Sequence, residues 1–374
     1  SGWMRVLRDA RQQDLMLADG FVAPTHGSHV VLTIDETIQS IAERALEKAM
    51  IKHHADAATI IVMDIRTGEI LALANRPTYN LDAVAESSLE SRTNRAISFV
   101  YEPGSVFKIV TAAAALEEEA FTEGDIIYCE QGEYRVGNHI LHDHRPHGKL
   151  TFKEVFGLSS NIGVTKIAQE IGADAVYKYA KRFRFGIKTN IDLQGEVRGV
   201  IRKPSMWSKT SIGAIPIGHE VLVTPLQLVS ALSAIANGGV FMQPYVVREI
   251  RSADGVLLQE VTPKIIDRVI SEDTARRVTE ILVGVVENGT AKRARIRGVR
   301  VAGKTGTAQK VINGTYSHSQ FYASFMGFAP ADNPRLAAVV IYDEPHPDHY
   351  GGTVAAPVFK EVIENSLRYF ESDE

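Results

Sequence analysis

Uninterrupted apolar runs stand near both ends of this 374-residue chain, and helical stretches fill the space between them. "ATIIVMDIRTGEILALAN" (58–75) reads as two strands joined at a Thr-Gly turn, a hairpin. "VRVAGKTGTAQ" (299–309), "QFYASFMGFAP" (320–330) and "LAAVVIYDEP" (336–345) are three further strand-like runs separated by turn residues. Ile38, Ile41, Ala42, Ala45, Leu46 and Ala49 recur at helical spacing behind "TIDE" (33–36), which matches a capping box. Residues 105–119, 151–183 (interrupted near Ser159), 225–236 and 272–288 are expected to be helical. Val358, Phe359, Val362, Ile363, Leu367 and Phe370 mark a closing helix. Strands at the ends and helices in the middle predict a mixed α/β (α+β) fold. The terminal strands form one antiparallel sheet, with the first and last helices on one face and the middle helices on the other.

Composition narrows the function. With 45% hydrophobic residues the chain can bury a sizeable core, and a net charge of −4 argues against a general nucleic-acid binder. The single Cys129 permits no internal disulfide and no cysteine-based metal site. No run of 18 apolar residues and no signal peptide are visible. The opening "SGWM" reads as a tag remnant, and residues 1–29 as a connecting or edge segment.

"YEPGSVFKIV" (101–110) places a serine at the start of a helix and a lysine three positions on, where an apolar face is due. Residues i and i+3 of a helix are neighbours, so Ser105 and Lys108 meet. A serine hydroxyl is a weak nucleophile and needs a base; a lysine serves if burial and a second cation keep it neutral. "GLSSNIG" supplies Ser159 to relay a proton and Asn161 to bind an amide carbonyl and a lysine. Lys304-Thr305-Gly306-Thr307 supplies the second cation, Lys304, and two hydroxyls for a carboxylate. Gly306 leaves room for substrate backbone beside the strand. The backbone N–H groups of Ser105 and Thr307 would form an oxyanion hole. S-x-x-K and S-x-N are each expected about once by chance in a chain this long, whereas K-T-G-T is expected in on the order of a few chains per thousand.

With these three motifs the sequence resembles the penicillin-binding proteins, serine acyltransferases that carry S-x-x-K, S-x-N and K-T-G. "HGKLTFKEVFGLSSNIG", "VTPLQLVSALSAIANGG", "ENGTAKRARIRGVRVAGKTGTAQ", "FMGFAPADNPRLAAVVIYDEP" and "YGGTVAAPVF" extend the likeness to class B transpeptidases over residues 30–371. The resemblance implies a five-stranded antiparallel sheet flanked by helices, with an all-helical subdomain. Residues 1–29 would be the exit from an N-terminal pedestal domain. It implies that Ser105 is acylated by the D-Ala-D-Ala end of a peptidoglycan stem pentapeptide, and that an acceptor stem peptide then attacks to form a cross-link. Lys108 would be the base. Ser159, Asn161 and Lys304 would relay protons and bind substrate, and Thr305, Gly306 and Thr307 would hold the carboxylate or β-lactam. No metal or organic cofactor is implied. A membrane-anchored, extracytoplasmic location and a division-machinery glycosyltransferase partner are. The segments after Lys304 look most like the cell-division (septal) branch or its sporulation relatives. His219 departs from the pattern, where relatives more often carry Gln or Tyr.

Simpler readings stand beside these. Ser105 alone fits an N-cap, and "SSN" fits a turn or cap. His142, Asp143, His144 and His147, like His346, Asp348 and His349, have metal-compatible spacing. No fourth ligand is evident in either group, and none is expected to bind metal. "KRARIRGVR" (292–300) reads as a solvated connector, with steering of anionic wall polymer as the alternative. Among functions, a D,D-carboxypeptidase passes the acyl group to water, and a sensor keeps the adduct. A class A β-lactamase adds an E-x-x-L-N stretch that is absent here.

Overall fold

The computed structural model describes residues 3–22 and 26–373, so Ser1 and Gly2 of the proposed tag lie outside the described residues. The chain divides into two compact units, residues 1–33 with 247–262, and residues 34–246 with 263–374. In the first, Trp3–Arg8 pairs with Asp14–Val22, and His29–Leu32, Val247–Arg251 and Leu257–Glu260 form a three-stranded antiparallel sheet. These strands were not apparent from the sequence. Leu257–Glu260 is exposed along its length, so no buried face imposes an alternating pattern.

The second unit opens with α1 (Glu36–His53). Its N-cap is Asp35, whose carboxylate accepts from the Ile38 amide at 2.9 Å. The N-cap therefore lies two residues beyond Thr33, where a capping box was expected, and with Ile38 as its third helical residue it is a plain aspartate cap. A carboxylate caps as well as a hydroxyl and also suits the positive end of the helix. β1 (Ala57–Asp64) and β2 (Ile70–Arg76) form the expected hairpin. A 3₁₀ turn, Gly104–Phe107, leads into α2 (Lys108–Glu117), followed by α3 (Phe152–Gly157), α4 (Asn161–Ile171), α5 (Pro225–Ala236) and α6 (Glu272–Glu287). β3 (Ala302–Ile312), β4 (Thr315–Ala329), β5 (Leu336–Asp343) and α7 (Gly351–Asp373) close the chain. Asn313 and Gly314, both at positive φ, make the two-residue turn between β3 and β4.

The five strands pair antiparallel in the order β3-β4-β5-β1-β2. Successive residues face opposite sides, so β1 and β5 read as continuous apolar runs because both faces are covered. Ile61, Met63, Val339 and Ile341 pack with α2, α4, α5 and α6. Ile60, Val62, Ala338 and Val340 pack with Ile38, Ala42 and Leu46 of α1 and Val358, Phe359 and Val362 of α7. The expected two-sided arrangement is thus present. β3 is a sheet edge, and one row of its backbone groups has no strand partner. Among the described residues no helix is long and apolar enough to cross a membrane.

Candidate active site

Ser105 does not cap a helix. It lies inside the 3₁₀ turn, whose N-cap is Pro103, and Phe107 is the N-cap of α2. The serine carbonyl accepts the Lys108 amide N–H, which places the two residues one tight turn apart. Ser105 remains partly exposed. Every residue of α2 from Lys108 to Leu116 is buried, and Lys108 itself is 0% exposed. A lysine in such a place persists only where its amine finds partners. Lys108 Nζ donates to Ser159 O at 2.7 Å, Ser159 Oγ at 3.1 Å and Asn161 Oδ1 at 2.8 Å.

The second lysine meets the same hydroxyl. Lys304 on β3, 1% exposed, donates to Ser159 Oγ at 2.9 Å and to the Thr305 carbonyl at 3.2 Å. Ser159 holds this junction at φ +61°, a backbone region that favours glycine. A side chain is kept there because both amines use its hydroxyl.

Neither amine keeps its ordinary basicity. Burial pushes Lys304 down to about 7. Burial, and then the charge of Lys304, pushes Lys108 well below 10.5, while the Asp143 carboxylate pulls it the other way. Desolvation and a like charge both disfavour the ammonium form of Lys108, and desolvation alone does so for Lys304.

The rest of β3 completes the site. Gly306 runs so close to the serine turn that a Cβ there would lie 3.0 Å from Val106 Cγ1 and 3.1 Å from the Pro103 carbonyl oxygen. Thr305 Oγ1 is 2.9 Å from Thr290 Oγ1, and Thr307 Oγ1 accepts the Gly351 amide at 3.2 Å. The three motifs, distant in sequence, therefore meet at one place. Lys108, Ser159, Asn161 and Lys304 are joined by direct hydrogen bonds, and the Ser105 turn lies against the strand of Thr305–Thr307.

Asp143 is the residue that sequence reasoning missed. It stood among histidines and was weighed only as a metal ligand. Its Oδ2 accepts from Ser160 Oγ at 2.6 Å, and its Oδ1 accepts from the amides of Asn161 at 2.5 Å and Ile162 at 3.1 Å. A carboxylate at the first turn of α4 satisfies amides that have no helical partner. His142 contributes its carbonyl, which accepts from Asn161 Nδ2 at 3.0 Å and leaves Oδ1 facing Lys108. His144 packs against Tyr350 with ring centres 5.5 Å apart, and His349 stacks on Phe321 at 4.1 Å. Among the described residues no three His, Cys, Asp or Glu side chains gather as a metal site. In the basic run, Arg295 donates to carbonyls at the end of α6, and Arg300 pairs with Glu280 and Asp332.

Asp143→Asn removes the charge that favours protonated Lys108. Acylation of Ser105 is therefore expected to begin at lower pH. Its plateau should fall about tenfold through the weakened hold on Ser160 and Asn161. A pH profile of adduct formation checks this; an unmoved acid limb would remove Asp143 from the electrostatics of the site.

Comparison with known proteins finds a family and several relatives. Residues 58–364 match the family described as penicillin binding protein transpeptidase domain. Stage V sporulation protein D of Bacillus subtilis is 37% identical over 355 residues, covering 94% of this chain and 55% of the relative. The probable peptidoglycan D,D-transpeptidase PenA of Neisseria meningitidis is 33% identical, covering 92% of this chain and 58% of PenA. The chain thus spans little more than half the length of these curated relatives. Among solved structures, penicillin binding protein 3 of Mycobacterium tuberculosis complexed with aztreonam superposes with a TM-score of 0.85 at 33% identity, covering 96% of this chain and 82% of that one. The transpeptidase domain of Burkholderia pseudomallei penicillin-binding protein 3 gives 0.80 at 32% identity, covering 91% of this chain and 96% of that one.

Proposed function

Because this chain belongs to the penicillin-binding protein transpeptidase family, we propose that it is a serine D,D-transpeptidase that cross-links peptidoglycan stem peptides and is acylated by β-lactams. One observation carries this reading: two fully buried lysines converge on the hydroxyl of Ser159 beside the Ser105 turn.

The steps follow from what each group can do. Neutral Lys108 takes the proton of Ser105 Oγ as the oxygen attacks the carbonyl of the penultimate D-Ala. The developing oxyanion is held by the backbone amides of Ser105 and Thr307. Lys304, Thr305 and Thr307 hold the terminal carboxylate, and Asn161 fixes the substrate amide. The carbon–nitrogen bond breaks, and the proton reaches the departing D-Ala amine from Lys108 through Ser159 Oγ, which lies within hydrogen-bond reach of both lysines. An acceptor amine then attacks the ester and restores the serine.

Residues 30–371 are assigned to this domain and residues 1–29 to the exit from a pedestal. The setting is the outer side of the cytoplasmic membrane, in septal or sporulation wall synthesis, beside a separate glycosyltransferase. The names of two relatives, a sporulation protein and a probable peptidoglycan D,D-transpeptidase, support the wall-synthesis part of that setting.

Incubation with a penicillin is expected to add one drug mass to the intact protein, on the peptide that contains Ser105. No adduct, or an adduct elsewhere, overturns the proposal. Loss of the adduct within seconds points to a lactamase. Release of D-Ala that is indifferent to an added acceptor amine points to a carboxypeptidase.

A further inference from the structure

The turn before Ser105 is held from two sides. Glu102, three residues ahead of the serine, accepts from His219 Nδ1 at 3.1 Å, from the Glu220 amide at 2.8 Å and from the Tyr316 hydroxyl at 3.3 Å. An ionised carboxylate only accepts, so the Nδ1 of His219 carries the hydrogen. The Tyr316 ring meets the His219 ring edge-on, with centroids 4.8 Å apart and planes at 89°. Side-chain exposure is 13% for Glu102 and 22% for His219, dry enough for the bond between them to count, while Tyr316 is 37% exposed and its bond to Glu102 lies at the surface. Burial and the Glu102 charge raise the Tyr316 phenol above its ordinary value, so it stays protonated and donates.

The three side chains come from three segments. Glu102 belongs to the serine turn. His219 belongs to the loop whose Gly218 approaches Gly104 so closely that a Cβ would lie 2.1 Å from the Gly104 carbonyl oxygen. The Gly104 amide also donates to the Gly218 carbonyl at 3.1 Å. Tyr316 belongs to the tip of the β3–β4 hairpin, where it pairs with Val311. The hairpin whose first strand carries Thr307 therefore has, near its tip on β4, a residue bound to Glu102 just ahead of the Ser105 turn. The same turn already lies against β3 at Gly104, where a Cβ would be 3.1 Å from Ala308 Cβ and 3.4 Å from the Thr307 carbonyl oxygen.

We propose that Glu102, His219 and Tyr316 are positioning residues that clasp the β3–β4 hairpin tip to the serine turn and hold β3 at the spacing that acylation of Ser105 requires. The proposal rests on Ser105 being the acylated residue. An interaction that sets geometry for the transition state alters the chemical step more than initial binding.

Time courses of fluorescent-penicillin labelling over a range of drug concentrations separate initial binding from the acylation rate. Tyr316→Phe and His219→Ala are each expected to lower the acylation rate about three- to tenfold. Initial binding should change by less than about twofold. The double variant should be little worse than the poorer single, because both break one clasp. His219→Gln restores a donor to Glu102 and should recover most of the rate. Hydrogen exchange over residues 309–320 should quicken in Tyr316→Phe and His219→Ala and stay slow in His219→Gln. Wild-type acylation rates in both single variants, or losses confined to melting temperature, overturn the clasp while Ser105 acylation stands. A wild-type protein that never labels overturns both.

Discussion

Lys108→Met is expected to slow acylation of Ser105 by about 10²–10⁴-fold, the range that a positioned general base supplies. Methionine keeps most of the side-chain volume in the buried face of α2, so the loss reports the amine rather than a cavity. The pH dependence distinguishes this role further. In the proposed mechanism the base is the neutral amine, and burial together with Lys304 holds its folded pKa well below 10.5. Wild-type acylation should therefore rise with pH through that lowered value and then level off. The variant should lack this acid limb. Stability carries the same sign. In the window between the lowered folded pKa and 10.5, the unfolded chain binds a proton that the folded one has released, so stability climbs as pH rises across it. The climb should be smaller in Lys108→Met when melting is followed against pH. Acylation within tenfold of wild type would mean that another group takes the serine proton.

What could be read in advance follows physical scale. The central sheet was legible because β1 and β5 are buried on both faces, which writes an apolar run into the sequence. Lys304–Thr307 was legible because a strand carries its chemistry in consecutive residues. Asp143 was not: its link to Ser160 and Asn161 spans 17 and 18 positions and exists only once the 139–142 strand lies beside α4. The unusual backbone of Ser159 is likewise silent in "SSN", since nothing about a serine announces positive φ. Ser105 looked like a cap because serine caps well, but Gly104 at φ +57° starts a 3₁₀ turn first and frees the hydroxyl from capping. His219 could be marked as a departure, yet its partner Tyr316 arrives from a hairpin 97 positions away (316 − 219). Local chemistry is written locally, and the contacts that orient it are tertiary.

Gly306→Val should abolish detectable acylation, and Gly306→Ala should reduce it about 100-fold, the lower end of what losing one oxyanion-hole donor costs. The backbone itself does not object: Gly306 is not among the glycines at positive φ, and valine suits a strand. The obstacle is contact. A Cβ at this position would lie 2.3 Å from Ser324 Oγ, 3.0 Å from Val106 Cγ1 and 3.1 Å from the Pro103 carbonyl oxygen. Ser324 is the cross-strand partner of Gly306, and its short side chain can rotate away. Val106 Cγ1 and the Pro103 carbonyl oxygen would each have to give by a few tenths of an ångström, and the Pro103 carbonyl is backbone of the segment that leads into the Ser105 turn. Relief therefore comes from separating β3 from that turn, which pulls the Thr307 amide away from the Ser105 amide. In the proposed mechanism, losing one oxyanion donor costs about 10²–10³ in rate, and displacement of the threonines proposed to bind the carboxylate adds to it. The sheet can keep its other pairings, so circular dichroism and cooperative melting should survive in Gly306→Ala while labelling fails. Near-normal labelling of Gly306→Ala would show that β3 tolerates a wider gap, and that the amide of Thr307 is not the donor on which acylation depends.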